Sequence, residues 1–167
     1  MKPSDKFNSG ATDWLLQRTG TSGAIPRGVI VVVASRYNAA VCDAMMVASV
    51  QTLIDAGVSR DAIEVVRVPG AWELSLQTAR ELDRPKVIAV IALGVVIKGE
   101  TTHDEHINRA VSMSLVQLGI DTMKPIGFGL LTCNTPEQAT ARAGGDVGNK
   151  GIEAADAVLE MLRLSAH

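Results

Sequence analysis

The feature that most constrains this chain is a set of short β-branched and aliphatic runs separated by segments of helical period. Gly28-Val-Ile-Val-Val-Val-Ala34 contains no polar residue and no alternation, which is the pattern of a strand buried on both faces. Apolar residues recur at helical spacing from Val41 to Ala56, and Gly57 ends that stretch. Ile63 to Val68 reads as a second strand, Pro69-Gly70 as a turn, and Ala71 to Leu82 as a helix. Val87 to Leu93 is a third buried strand, Asp104 to Leu118 a helix closed by Gly119, and Pro125 to Leu131 a fourth strand. Thr135 is placed as an N-cap with Pro136 at the first helical position, Gly144-Gly145 breaks that helix, and Gly151 to Leu164 forms the last one. Strands that alternate with helices in this way predict a parallel sheet covered on both faces, a three-layer α/β sandwich with right-handed crossovers.

The rest of the sequence narrows the class. Residues 1–26 are rich in Ser, Thr and Gly and end at Pro26, so they read as a flexible arm with Trp14-Leu15-Leu16 as an apolar anchor; residues 27–167 read as one domain. Lys and Arg are scattered and the net charge is −2, which argues against a nucleic-acid footprint. The longest apolar run, Val87 to Ile97, is too short to cross a bilayer, and no apolar stretch follows Lys2, Asp5 and Lys6, so the expected location is cytoplasmic. Cys42 and Cys133 form no CxxC pair and read as small buried residues in a reducing compartment. Aromatic residues make up only 3% of the chain: Phe7, Trp14, Tyr37, Trp72 and Phe128. The core must therefore be aliphatic, and each aromatic side chain becomes a candidate for a special role.

In open parallel sheets, ligands bind beyond the carboxyl ends of the strands, so the chemistry is sought in the strand-to-helix junctions. Gly99-Glu100-Thr101-Thr102-His103 joins a buried strand to a helix. Helix amides and Thr hydroxyls there suit an anion, and His103 suits proton transfer near neutral pH. An N-cap loop with an exposed histidine fits the same residues equally well. Lys98 and His106 read as surface residues, and a His103/His106 metal pair lacks an evident third ligand, so no metal is expected. Gly70 and Ala71 offer helix-start amides beside Trp72 and Glu73, although Glu73 also suits a purely structural role at a positive helix end. Tyr37 follows Arg36 at the end of the first strand, where a ring can stack on a planar ligand or simply mark a boundary. Arg142 and Lys150 lie beside glycine turns in a pairing that suits a phosphate, or stand as an ordinary helix-end Arg and loop Lys.

Taken together, the junctions resemble one family. Val68-Pro-Gly-Ala-Trp-Glu-Leu74 is similar to the VPGAFEIP segment of lumazine synthases, and Ala92-Leu-Gly-Val-Val-Ile-Lys-Gly-Glu-Thr-Thr-His103 to their ALGxVIRGxTxH. Phe128-Gly-Leu-Leu-Thr132 followed by Asn134-Thr-Pro-Glu-Gln-Ala139 resembles FGVLTxxTxEQA, Arg142-Ala-Gly and Gly148-Asn-Lys-Gly151 resemble RAG and GNKG, and Arg36-Tyr-Asn38 resembles RFN. The order and spacing hold from about Gly28 to Leu164. The resemblance implies a flavodoxin-like sheet, for which the expected strand order is 2-1-3-4 with an extra N-terminal strand or arm. It implies condensation of 5-amino-6-(D-ribitylamino)uracil with 3,4-dihydroxy-2-butanone 4-phosphate to 6,7-dimethyl-8-ribityllumazine, with phosphate and water leaving and no cofactor.

The roles it implies are as follows. Tyr37 stacks on the pyrimidine; Ala71, Trp72 and Glu73 hold the ribityl chain; Val96 and Ile97 touch the ring. Gly99, Glu100, Thr101 and Thr102 border the phosphate, Arg142 neutralises it, and Lys150 stands near it. His103 carries protons, and Phe128 packs on the heterocycle from a neighbouring subunit. The expected assembly is a pentamer or twelve pentamers in a shell, with riboflavin synthase as a candidate partner. One departure stands out: relatives usually carry an aromatic directly after the histidine, whereas this chain has Asp104-Glu105-His106, so Asp104 is a candidate to orient an imidazole. Glu100 is expected to turn only its backbone to the site. The rival readings are a non-catalytic flavin-binding or shell protein, and another phosphate-handling enzyme of flavodoxin-like fold. The retained His103, Arg142 and Lys150 argue against the first. Ser35-Arg-Tyr-Asn38, which is not a Ser/Thr-rich phosphate loop, argues against the second.

Overall fold

The computed structural model describes residues 18–165. Four parallel strands, β1 (Val29–Ser35), β2 (Ile63–Val68), β3 (Val87–Ile97) and β4 (Ile126–Cys133), form one sheet in the order β2-β1-β3-β4. This is the order expected. Helices α1 (Ala39–Asp55) and α5 (Lys150–Ser165) cover one face; α2 (Leu74–Leu82) and α3 (His103–Thr122) cover the other. A short helix α4 (Pro136–Ala141) and a small antiparallel hairpin, β5 (Ala143–Gly145) with β6 (Gly148–Asn149), lead into α5. Ile30, Val32, Ala89, Ile91 and Leu93 face the α1/α5 layer, and Val31, Val33, Val90 and Ala92 face the α2/α3 layer. The uninterrupted β-branched runs are thus buried on both sides, as a sandwiched parallel sheet requires.

Several boundaries differ from those read in the sequence. Strand β3 continues past Leu93 to Ile97, because β4 pairs with it all the way from Val90 to Ile97. Gly119 does not close α3, which runs on to Thr122 and stops where Met123 takes a left-handed conformation (φ 53°) ahead of Pro125. Helix α2 begins at Leu74, and Ala71-Trp72-Glu73 form the turn that leads into it. The β5–β6 hairpin has no apolar pattern to reveal it; Gly144 (φ 117°) and Gly148 (φ 109°) supply the backbone it needs. The cap of α4 is as expected, with the Thr135 hydroxyl accepting from Gln138 N at 3.3 Å. Trp14-Leu15-Leu16 lies outside the described residues. Residues 18–26 contain no helix or strand; Gly20 is buried on α5 and Ile25 packs on the core.

Gly151 sets the closest approach between α5 and α1, since a Cβ there would lie 2.0 Å from the carbonyl oxygen of Met45. Backbone cannot yield cheaply, so Gly151→Ala is expected to lower unfolding stability by about 1–3 kcal/mol. The midpoint of urea denaturation measures this, and an unchanged midpoint contradicts it.

Candidate active site at the carboxyl ends of the strands

At its carboxyl end β3 outruns β1. The β1 pairing stops at Leu93, whereas Gly94–Ile97 pair only with β4. The unpaired side of these four residues, where the strand order reverses, marks the candidate crevice, the usual ligand position in such sheets. Val96 is buried there and Ile97 is half-buried.

The first two junctions are tied into one unit beside this crevice. Arg36 N donates to Val68 O at 2.8 Å and Tyr37 N to Pro69 O at 3.0 Å. Tyr37 O accepts from the Cys42 thiol at 3.4 Å, and Asn38, in a left-handed conformation (φ 56°), starts α1. The Tyr37 ring itself is 72% exposed. In the second junction, Gly70 N donates to Glu73 Oε2 at 2.9 Å. The Glu73 carboxylate therefore closes its own turn, and the Gly70 amide is not free to bind a ligand. Ala71 is buried against Gly94, whereas Trp72 is 60% exposed.

The third junction brings its residues together. His103 is the first residue of α3, and Gly99 to Thr102 form an exposed loop before it. Thr101 Oγ1 lies 2.8 Å from His103 Nδ1. The ring lies against Gly99, where a Cβ would come within 2.8 Å of His103 Cε1. Asp104 does not orient the imidazole: its Oδ1 is buried and makes no hydrogen bond among the described residues. Asp104 and Glu105 instead place negative charge in the first turn of α3, where it complements the helix dipole.

Arg142 and Lys150 line a cavity of about 240 Å³ with Thr132, Val147, Gly148 and Glu153. Lys150 N donates to Arg142 O at 2.8 Å, which fixes their spacing, and Lys150 Nζ pairs with Glu153 at 2.9 Å. Phe128 and Thr132 emerge from the α3-facing side of edge strand β4 into a neighbouring groove of about 470 Å³ with Glu105, Asn108 and Arg109. Phe128 pairs with Ala92, five residues before the end of β3. At about 3.3 Å per residue its backbone is roughly 17 Å from that end. Phe128, Arg142 and Lys150 thus line the β4 side, and Tyr37, Trp72 and Gly99–His103 stand in the strand-to-helix junctions.

Two residues escaped the sequence reading. Arg67, the last charge in β2, pairs with Asp43 at 2.6 Å and donates to Ser35 O at 3.2 Å, bracing the Tyr37 junction. A lone cation in an otherwise apolar strand end was the available signal. Glu153 was visible as the i,i+3 partner of Lys150.

Fold and site together define an α/β protein of flavodoxin-like topology, with an imidazole on an exposed amide loop at the switch point. The sequence profile of the 6,7-dimethyl-8-ribityllumazine synthase family matches residues 28–166. A 6,7-dimethyl-8-ribityllumazine synthase from Rhodopirellula baltica is 58% identical over 145 residues, covering 87% of this chain and 94% of its own length. Enzymes of the same name from Xanthomonas campestris and Xylella fastidiosa are 43% and 42% identical over 134 residues, covering 80% of this chain and 87% of their own. The chain belongs to the 6,7-dimethyl-8-ribityllumazine synthase family. No helix among the described residues is long and apolar enough to cross a membrane.

Both described cysteines are free and buried. Burial pushes the Cys42 thiol up to about 11 and raises that of Cys133 as well. A raised thiol pKa means the reactive thiolate is scarce below that value. Neither thiol of the folded protein is expected to react with iodoacetamide at pH 8, and both should react in denaturant. Mass spectrometry reads the outcome; rapid labelling of the native protein contradicts the buried placement.

Proposed function

We propose that this chain condenses 5-amino-6-(D-ribitylamino)uracil with 3,4-dihydroxy-2-butanone 4-phosphate to give 6,7-dimethyl-8-ribityllumazine, phosphate and water, the penultimate step of riboflavin biosynthesis. The observation that carries this reading is the Gly99–His103 junction, an imidazole seated on a loop of exposed amides in a chain of this family. The amine substrate is already a nucleophile, so holding the two reactants together supplies much of the rate. Imine formation needs a proton delivered to a departing hydroxyl, and His103 provides it. Elimination needs a stabilised phosphate, to which the Gly99–Thr102 amides and Arg142 are suited, with Lys150 close by. Tyr37 stacks on the pyrimidine, Val96 and Ile97 contact it, and Ala71, Trp72 and Glu73 hold the ribityl chain. Glu100 contributes its backbone.

The site is completed between copies. The setback of Phe128 from the carboxyl end of β3 supports this, because a neighbour can lay its β4 side over the crevice. An apolar groove of about 830 Å³ between α3 and α5, with Val116, Ile120, Met123 and Met161 exposed, offers a surface for such contact. A pentamer, alone or as twelve in a shell, is the assembly we favour, with residues 27–167 as the catalytic domain and 1–26 as an arm. Two unpaired cysteines suit the reducing cytoplasm. Riboflavin synthase, which consumes the product, is the proposed partner.

Given both substrates, the purified protein should form the fluorescent lumazine. His103→Ala should slow turnover about 10²-fold, the lower end for a proton-transfer group. Arg142→Ala should raise KM for the phosphate substrate about tenfold, the worth of one charge-assisted hydrogen bond. Absence of turnover together with riboflavin binding would favour the flavin-binding alternative. Co-assembled His103→Ala and Arg142→Ala chains should regain activity that neither has alone; no recovery would place both residues in one copy's site.

A further inference from the structure

We propose that Thr101 is the positioning residue for His103, acting on the imidazole rather than only bordering the phosphate. This rests on the reading of His103 as the proton carrier. Two contacts fix the ring: the hydroxyl 2.8 Å from Nδ1, and Gly99, whose missing side chain leaves room for Cε1. With Nδ1 engaged, Nε2 is the nitrogen that exchanges protons with substrate. A hydroxyl suits this task because it both donates and accepts. It donates to the bare Nδ1 of the neutral Nε2–H ring at rest. It accepts from Nδ1–H in the doubly protonated ring, whose Nε2 has a proton to give, and in the neutral ring whose Nε2 stands bare to take one. The ring therefore keeps one orientation through both halves of the transfer. A carboxylate at this place would accept only, and would hold the proton on Nδ1. Asp104 makes no such contact, which leaves the task to Thr101.

Thr101→Val keeps the shape and removes the hydroxyl; Thr101→Ser keeps the hydroxyl. Position 101 is exposed, so both variants should fold. The chain has three histidines; in ¹⁵N-histidine NMR of the full chain without substrate, the His103 signals are identified by their loss in His103→Ala. The Val variant should shift the Nδ1 signal of His103 alone, and the Ser variant should restore it. Unchanged signals in Thr101→Val overturn the proposal. In turnover, Thr101→Val should lower kcat about tenfold in the wild-type background and less than twofold when His103 is already Ala, the mark of two groups acting as a unit. Equal losses in both backgrounds would mean that Thr101 acts on the substrate independently of His103, and would also overturn it. The NMR arm needs no turnover. A wild type that makes no lumazine therefore fails the functional reading, while the signals still decide whether Thr101 holds the ring.

Discussion

Strand β3 runs through the middle of the sheet as eleven consecutive apolar residues, nine of them buried. Every buried amide and carbonyl along it must find a partner, and β1 and β4 supply them from either side. Because all the neighbours run parallel, each connection has to cross over a face, and the crossovers bring the helices that bury the strand. The position of the site follows from the same strand. β3 is longer than β1 needs, so its last four residues pair with β4 alone and leave one side open above β1. The crevice is thus a consequence of unequal strand lengths at the switch point, and the junction loops only furnish it.

An aliphatic core leaves the aromatics for other work. Among the described residues the three aromatic side chains are Tyr37, Trp72 and Phe128, and all are exposed. An exposed ring costs stability if nothing covers it. Tyr37 and Trp72 flank the crevice, where a planar substrate can cover them. Phe128 lies on a β4 edge flanked by exposed apolar residues of α3, where another chain can. The core meanwhile packs small β-branched residues against glycines: Gly127 approaches the carbonyl of Ala154 and Gly151 that of Met45, which draws α5 tightly onto the sheet and onto α1. Tight packing of α5 fixes Lys150 at its first turn, and through Lys150 N the position of Arg142.

The sheet and its order were legible because unbroken β-branched runs admit few alternatives, and Gly57 and Thr135 punctuate the chain by plain local physics. Where the boundaries moved, tertiary pairing outweighed local signals. The β4 ladder carried β3 on to Ile97, and α3 ran through Gly119 to its last turn before Pro125. The loop chemistry was legible only in part. Residue types at the junctions pointed to an anion and a proton carrier, yet nothing in the sequence could say that Glu73 would turn back on Gly70, or that Thr101 rather than Asp104 would reach the imidazole. Those outcomes depend on side-chain direction within a few residues of backbone, which periodicity does not encode. The setback of Phe128 from the carboxyl end was likewise invisible to spacing, because it depends on the register of β4 against β3.

The two ends of the sheet use charge differently. At the amino end, Arg84 bridges Glu64 at the start of β2 and the buried Glu81 of α2, while Lys124 caps the α2 terminus through Leu82 O at 2.6 Å. These contacts hold the Glu64 carboxyl below its ordinary range and the Arg84 guanidinium above its own, so their charges are spent within the fold. At the carboxyl end Arg67 is likewise closed by Asp43, whereas Arg142 has no such partner among the described residues. Among the described residues Arg142 donates only to a backbone carbonyl, Gln138 O, and it stands beside Lys150, whose own charge is balanced by Glu153. A cation satisfied by a neutral carbonyl still seeks an anion, whereas a cation held between two carboxylates does not. The difference follows from local geometry: Arg84 sits in a turn between two acidic elements, whereas the acid that shares a cavity with Arg142, Glu153, is paired with Lys150. The same fold therefore closes Arg84 and Arg67 within ion pairs and leaves Arg142 on a neutral carbonyl at the carboxyl end, where the junction loops lie.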